Sequence, residues 1–235
     1  MRYKNYLFIS LIILGLIFLS GVAHYKNNER KIGQIIIDFK NDGTGFISPD
    51  IVNKLLIQKK GELPWEAKDS LDLNMLETFL ENNPYVLKAE VFSFPEGVLG
   101  INIEEKQALV RVKGEKSFYL DKFGTKLPLS KSYLPKVPTF VGELNEISKK
   151  GLLSLIYFFN KDPFLKSELI TIYYKSDSFY IKLRSFDFEV EIGDMTQLQN
   201  KLQRLKIFCA YQMNSKLEKK FKLISLKFKN QIVGS

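Results

Sequence analysis

The feature that most constrains the fold is an uncharged apolar run near the amino terminus. Residues 6–23 read YLFISLIILGLIFLSGVA and contain no charged side chain. A helix of that length extends about 27 Å, enough to cross the hydrocarbon core of a bilayer. The run is also longer than the roughly 7–15 apolar residues of a typical signal peptide. The sequence therefore predicts a transmembrane helix over residues 6–23, preceded by a short cytoplasmic tail at residues 1–5.

The end of the apolar run leaves one alternative open. Gly21, Val22 and Ala23 form a small-residue site of the kind at which signal peptides are cleaved. A lipoprotein signal is excluded, because Val22 stands where the acylated cysteine is required. A few residues precede the run and more than two hundred follow it. We therefore expect the large part of the chain to lie outside the cytoplasm, whether the run is an anchor or a cleaved signal.

Composition excludes several classes of function. The single cysteine, Cys209, rules out an intramolecular disulfide and a cysteine-ligated zinc site, and the single histidine, His24, rules out histidine triads and HExxH sites. No phosphate-binding loop or dinucleotide fingerprint is present. The sequence predicts no catalytic residues, no metal, no cofactor and no small-molecule substrate.

The net charge of +9 leaves three kinds of partner: nucleic acid, an anionic membrane or an acidic protein. From Lys216 to Lys229 there are six lysines against one acidic residue, Glu218. That segment is expected outside the cytoplasm, away from chromosomal DNA. The expected topology therefore leaves a protein as the best of these partners, and we predict no nucleic-acid partner.

The first exported region, residues 32–106, is predicted to be a compact α+β unit. A strand over residues 34–39 is followed by a helix that begins at Ser48-Pro49-Asp50, where a serine cap precedes a proline at the first helical position. A second helix is expected from Leu73 to Asn82. A hairpin then pairs residues 86–94 with residues 98–105. The order is strand, helix, helix, strand, strand, with both helices on one side of the sheet.

The second region, residues 107–235, is predicted to be a mixed β domain with flanking helices. Strands are expected at residues 108–112, 117–120, 169–175, 178–184, 186–192 and 222–228. Helices are expected at residues 147–159 and 196–213, the second with a buried stripe of Leu198, Leu202, Leu205 and Cys209. The fold class is therefore α+β: an amino-terminal transmembrane helix, a βααββ domain and a β domain.

Three carboxylates on one strand have two possible roles. Asp187, Glu189 and Glu191 share a strand face and could present oxygen ligands to a hard cation in an exported envelope hydrolase. We interpret them instead as the solvated side of an amphipathic strand. Cys209 is interpreted as a buried core thiol, and Trp65 as a packing residue in its loop.

Two regions of the sequence resemble parts of a known family. Residues 83–91 (NPYVLKAEV), 94–97 (FPEG) and 99–106 (LGINIEEK) resemble the polypeptide-transport-associated (POTRA) module. Residues 118–124 (FYLDKFG) and the stretch from Leu134-Pro135 to Gly142 are similar to the opening of the β domain of FtsQ/DivIB division proteins. One membrane span, one POTRA module and one β domain match the layout of that family over essentially the whole chain.

The resemblance implies a non-enzymatic division scaffold in the cytoplasmic (inner) membrane at the septum, with most of the chain in the periplasm. Such proteins bind two bitopic proteins, FtsB and FtsL, and through them help to control septal peptidoglycan synthesis. The last strand of the family receives a strand from FtsB. The partner-binding residues expected here are Lys222, Leu223, Ile224, Ser225, Leu226, Lys227, Phe228, Lys229 and Asn230.

Two alternatives to this interpretation stay open from the sequence. Lysines along an edge strand are also typical of edges that are protected against aggregation. The POTRA-like unit would also suit a polypeptide-binding chaperone of envelope export. However, that class carries a transmembrane β-barrel, which residues 107–235 are too short and too helical to form.

Overall fold

The fold is described from a computed structural model of the chain. It describes residues 2–28, 31–40, 45–65, 71–214 and 221–235, and within the first helix the side chains of residues 6, 8–23 and 25. The chain divides into two compact units, Met1–Lys106 and Gln107–Ser235. The sequence also predicts a turn at residues 41–45, of which residues 41–44 lie outside the described residues. Met1, the side chain of His24, and residues 215–220 with three of the six lysines lie outside them as well.

The apolar run forms part of the first helix, α1 (Arg2–Asn28). Its large apolar side chains are exposed wherever they are described, from 40% at Val22 to 71% at Leu14. Within the described residues, which include only some of the side chains of α1, no helix is long and apolar enough to cross a membrane.

The rest of the first unit has the order strand, helix, helix, strand, strand. Its elements are β1 (Gln34–Phe39), α2 (Pro49–Lys60), α3 (Leu73–Glu81), β2 (Val86–Ser93) and β3 (Val98–Glu105). The side chain of Ser48 accepts a hydrogen bond from the Ile51 N–H, and that of Asp72 accepts one from the Met75 N–H. These caps satisfy N–H groups that a helix leaves free in its first turn. The two helices therefore begin where the sequence predicts.

The three strands form a sheet in the order β1-β3-β2, with β1 parallel and β2 antiparallel to the central β3. The core of this unit consists of alternate strand residues and the apolar stripes of α2 and α3. Its most buried members include Val52, Leu56, Leu76, Leu80, Leu99, Ile101 and Ile103. One face of the sheet is therefore covered by the two helices, as the sequence predicts.

One edge of this sheet is closed by side chains of α3. The Glu77 carboxylate accepts a hydrogen bond from the Val91 N–H at 2.7 Å, and the Glu81 carboxylate accepts one from the Ala89 N–H at 3.1 Å. Both N–H groups belong to β2, which is an edge strand. Because charged acceptors make strong hydrogen bonds, these donors are not available to another strand.

The second unit alternates short strands with three helices. Its strands are β4 (Ala108–Lys113), β5 (Phe118–Asp121), β6 (Lys126–Leu127), β7 (Thr139–Gly142), β8 (Leu169–Lys175), β9 (Ser178–Leu183), β10 (Glu189–Gly193), β11 (Leu223–Ser225) and β12 (Val233–Gly234). Its helices are α4 (Glu146–Asn160), α5 (Pro163–Glu168) and α6 (Leu198–Asn214). The mixture of helices and one large sheet makes the protein α+β.

The nine strands found among the described residues of the second unit form a single sheet in the order β12-β11-β10-β9-β8-β7-β4-β5-β6. Its inward side chains join the apolar faces of the helices in one core, which includes Phe140, Phe159, Ile181, Val190, Leu205, Cys209 and Ile224. The predicted stripe of α6 is buried at all four positions. The sheet therefore ends at β12 on one side and at β6 on the other.

Four short elements of this unit differ from the prediction. The sequence predicts no strand at β6, β7 or β12 and no helix at α5, and it begins β10 at residue 186 rather than Glu189. These elements contain two to six residues, so hydrophobic periodicity has too few positions to reveal them. The predicted strand at residues 222–228 is also shorter, as described next.

Candidate functional site

The segment predicted to bind a partner contains one short strand followed by a turn. The strand β11 ends at Ser225, so the prediction of a strand over residues 222–228 is wrong in its second half. The Leu226 N–H still donates to the Glu191 carbonyl oxygen at 2.8 Å, and the chain then turns at residues 228–230. Asn230 has φ +58°, a left-handed conformation that asparagine tolerates better than most residues. The turn therefore ends the strand early.

The nine predicted partner-binding residues differ in exposure. Ile224, Ser225 and Leu226 are buried and Leu223 is half-buried, whereas the exposed residues are Lys222, Lys227, Phe228, Lys229 and Asn230. The sequence places Phe228 on the same face as Ile224 and Leu226. Because the strand has already ended, Phe228 instead lies in the turn and is 48% exposed. Only the exposed members can offer whole side chains to a partner.

The structure also corrects the position of the sheet edge. β11 pairs in parallel with β10 on one side and antiparallel with β12 on the other. The Ser235 N–H donates to the Leu223 carbonyl at 3.0 Å, and the Leu223 N–H donates back to the Ser235 carbonyl at 3.2 Å. β11 is therefore an internal strand, and the edge expected there is formed by β12.

The outer side of β12 carries backbone groups that point away from the sheet. Leu223 and Ser235 form a hydrogen-bonded pair, so the next pair along the antiparallel ladder, Ile224 and Gly234, is not hydrogen-bonded. The N–H and C=O of Gly234 therefore face outward. Such an edge can accept a strand from another chain.

Aromatic rings pack against one face of β12. A Cβ atom at Gly234 would lie only 2.5 Å from Cδ1 of Phe221, so glycine allows the Phe221 ring to approach the backbone of β12. The Phe221 ring packs edge-on against the Phe208 ring of α6, with 5.9 Å between the ring centroids. The Phe208 ring packs in the same way against the Phe188 ring, with 5.6 Å between the centroids. The position of β12 is thereby linked to α6 and to the core.

A polar network ties β11 to its neighbours β9 and β10. The Ser225 hydroxyl donates to Oε2 of Glu191 at 2.8 Å, the Tyr180 hydroxyl donates to Oε1 at 3.1 Å, and the Lys227 ammonium lies 3.3 Å from Oε1. Burial raises the pKa of the Glu191 carboxyl, but the hydrogen bonds from Ser225, Lys227 and Tyr180 outweigh burial and leave its pKa below the usual range. Glu191 therefore stays ionised and holds three strands together.

Two of the three carboxylates considered as a cation site are paired with other side chains of the protein. Glu191 belongs to the network just described, and Glu189 lies 3.8 Å from the Lys175 ammonium. Asp187 is exposed and precedes β10. Among the described residues there is no group of three or more His, Cys, Asp or Glu side chains placed to hold a metal ion. The solvated strand face that the sequence favours is therefore not reproduced at Glu191, whose side chain is only 12% exposed, nor at Asp187, which lies before the strand.

Cys209 and Trp65 are buried side chains within their respective units. Cys209 is fully buried, and burial raises the pKa of its thiol to about 12, so the thiolate required for nucleophilic reactivity is absent near neutral pH. Trp65 is only 4% exposed, and its Nε1–H donates to the Gly61 carbonyl at 2.9 Å. Both residues act in packing, as the sequence predicts.

Sequence reasoning misses two parts of the site. β12 escapes notice because only Ile232 and Val233 suggest a strand after the Asn230 turn. The second is Arg204 of α6, whose guanidinium binds the turn between β11 and β12. On the sequence, Arg204 is only one polar residue on a helix. A turn signal at Asn230 followed by two β-branched residues is the one hint that a hairpin ends here.

A family comparison bears on the whole of this second unit. The family model described as "FtsQ/DivIB, C-terminal related" matches residues 107–235, more than half of the chain. This chain belongs to the FtsQ/DivIB family. The match confirms the resemblance seen in the sequence, and FtsQ/DivIB membership implies a role in cell division.

A solved structure is also similar to this FtsQ/DivIB protein. It is the major extracytoplasmic domain of the trans isomer of the bacterial cell-division protein DivIB from Geobacillus stearothermophilus. The two are 20% identical in sequence, the similarity covers 48% of this chain and 98% of that chain, and the TM-score is 0.33. No curated protein matches the chain.

Proposed function

We propose that this FtsQ/DivIB protein is a non-catalytic scaffold of the cell-division machinery. Its second unit binds bitopic division proteins of the FtsB and FtsL type and so helps to regulate septal peptidoglycan synthesis. The observation that carries this proposal is the outward-facing backbone of β12 at the end of a nine-stranded sheet. In the part of the chain that the structure describes, no strand covers that side.

The mode of binding that suits this edge is addition of one strand. A partner segment would pair with the N–H and C=O of Gly234, which supply main-chain hydrogen bonds without selecting a sequence. Selectivity would come from side chains beside the edge. Val233 is 43% exposed and Phe228 48% exposed, and Lys222, Lys227 and Lys229 are exposed close to them in the chain.

The charge of the second unit favours an acidic partner. Residues 107–235 contain 23 Lys and Arg against 12 Asp and Glu, whereas residues 1–106 contain 12 against 14. The positive charge of the protein is therefore concentrated in the unit that carries the proposed site. A positive surface speeds the approach of a negatively charged partner and disfavours basic ones.

The amino-terminal part is proposed to anchor and position this unit. Residues 6–23 would span the cytoplasmic membrane after a short cytoplasmic tail, and residues 32–106 would form a POTRA domain outside the cytoplasm. The apolar length of the run and the exposure of its described side chains support the anchor. The strand, helix, helix, strand, strand order supports the POTRA assignment.

Depletion of the protein tests its role in division. Depleted cells should grow into filaments, and a fluorescent fusion should gather at midcell before constriction. Normal division after depletion would overturn the proposal. Expression of the chain with residues 233–235 removed provides a second test, since it should not restore division although the rest of the sheet remains.

The partners are tested separately by isolation of the protein from detergent-solubilised membranes. FtsB-type and FtsL-type proteins of the same cell should co-purify with the full chain and should be lost when residues 233–235 are removed. Co-purification that survives this deletion would place the binding surface elsewhere. Recovery of secreted or outer-membrane polypeptides in their place would favour the chaperone alternative.

A further inference from the structure

The guanidinium of Arg204 gathers three carbonyl oxygens from the turn between β11 and β12. Nη1 donates to the Phe228 oxygen at 3.0 Å and also to the Gln231 oxygen, and Nη2 donates to the Leu226 oxygen at 3.3 Å. Arg204 lies on α6, more than twenty residues earlier in the chain. One side chain therefore fixes the beginning, the middle and the end of a single turn.

β12 needs support of this kind because it is short. Only Val233 and Gly234 pair with β11, extended by the hydrogen bonds of Ser235. An isolated two-stranded hairpin is at best marginally stable in water. The turn also holds Asn230 at φ +58°, a conformation that is uncommon outside glycine. Binding of three turn carbonyls by one rigid guanidinium offsets these costs.

We infer that Arg204 is a positioning residue that holds β12 against β11 and thereby presents the outer edge of β12 to a partner. The second half of this inference rests on the proposed function, whereas the first half concerns the protein alone. Arginine is suited to this role because its planar fork directs several N–H groups at fixed angles. A lysine keeps the charge but cannot reach three separated carbonyls from one ammonium in the same way.

The place where a partner binds decides whether replacement of Arg204 weakens or strengthens the complex. If a partner adds to the outer side of β12, then binding requires β12 to be in place, and the apparent affinity falls when the strand is less often paired. If a partner instead takes the place of β12 beside β11, then Arg204 opposes binding and its replacement tightens the complex. We infer the first arrangement, because the outward groups of Gly234 are already exposed.

The experiment compares Arg204→Lys with Arg184→Lys in the full chain. Arg184 serves as the control, because it lies in the same unit and its Nε–H donates to the Ser167 carbonyl of α5 instead of the turn between β11 and β12. Amide hydrogen exchange should quicken about tenfold at Ser235 and Val233 in Arg204→Lys, with no change in the β9–β10 ladder. Arg184→Lys should leave both ladders unchanged.

Binding is then measured with the extracytoplasmic part of the FtsB-type protein from the same cell. The dissociation constant should rise severalfold for Arg204→Lys and stay near the wild-type value for Arg184→Lys. Unchanged exchange at Ser235 would overturn the positioning role, and faster exchange with unchanged or tighter binding would overturn the presentation of the edge. Absence of binding by the wild-type chain would overturn the proposed function, while the exchange data would still decide the role of Arg204.

Discussion

Leu226 and Phe228 are two residues apart in the chain, but one side chain is buried and the other is exposed. Leu226 is fully buried, and its N–H still bonds to β10, whereas Phe228 lies in the turn and is 48% exposed. The sequence predicts that both side chains lie on one face of a single strand. The structure separates them because β11 ends at Ser225. The same substitution should therefore have different effects at the two positions.

Leu226→Asp should lower the free energy of unfolding by about 3 kcal/mol or more, because it places a carboxylate in an apolar core. Phe228→Asp should change it by less than about 1 kcal/mol, as expected for an exposed position. Chemical denaturation of both variants measures the difference. Equal destabilisation would show that Phe228 packs in the core as Leu226 does.

A second residue-scale prediction concerns the buried ammonium of Lys201. It lies 2.8 Å from Oδ1 of Asp194, and its own side chain is only 6% exposed. Hydrogen bonds from Lys201 and then from Thr196 lower the pKa of Asp194 from 3.8 to about 2. Because the folded-state pKa is depressed, the ionised carboxylate stabilises the fold above about pH 4, and this contribution is lost as the pH falls towards 2.

Asp194→Asn should reduce the stability at neutral pH by no more than about 1 kcal/mol, because the Asp194 side chain is 66% exposed and solvent screens its pairing with Lys201. The gap between the variant and the wild type should narrow between pH 4 and pH 2. Thermal unfolding across this range measures the gap. A gap that stays constant with pH would contradict the assignment.

At the scale of elements, the edge strand β2 of the first sheet has its backbone N–H groups capped by side chains, whereas within the described ranges the edge strand β12 of the second sheet does not. The β2 edge of the first unit is closed by Glu77 and Glu81 of α3, whose carboxylates accept hydrogen bonds from β2. The β12 edge of the second unit has no comparable acceptor on Gly234 among the described residues. Of these two edges, β12 is therefore the one with which a further strand can pair.

Glu77→Ala should destabilise the first unit by about 1 kcal/mol, because the Val91 N–H loses a charged acceptor. Glu77→Gln keeps an acceptor oxygen and should retain part of the stability. Trp65 is the only tryptophan of the chain and is buried in this unit, so its fluorescence reports the unfolding of this unit directly. Identical midpoints for wild type and Glu77→Ala would contradict the edge-closing role.

The success of the sequence prediction depended on the length of each element. β1, α2, α3 and the hairpin of the first unit were predictable because caps, periodicity and a turn agree locally. The short elements β6, β7, α5 and β12 were not predictable, because each contains too few residues for a periodic pattern to show. The candidate site was the least predictable part, because its edge is a two-residue strand held by an arginine from another element.

At the scale of the whole molecule, the family and the charge agree. The second unit matches the FtsQ/DivIB model over residues 107–235 and carries nearly twice as many basic as acidic residues. The sheet pairs β11 with β10 across the intervening helix α6, so the place of the β11–β12 hairpin at the end of the sheet depends on contacts that no local pattern specifies. Family membership implies a role in cell division, and the outer edge of β12 is the surface that we propose for it.

The most direct test of this account is the affinity of the full chain for the FtsB-type protein when Val233 is changed. Val233→Pro removes the N–H that pairs with β11 and should weaken binding at least about tenfold, because proline breaks the ladder. Val233→Thr keeps a β-branched residue and the N–H, and should bind within about threefold of the wild type. Wild-type affinity in the Val233→Pro variant, with the protein still folded, would contradict binding at β12.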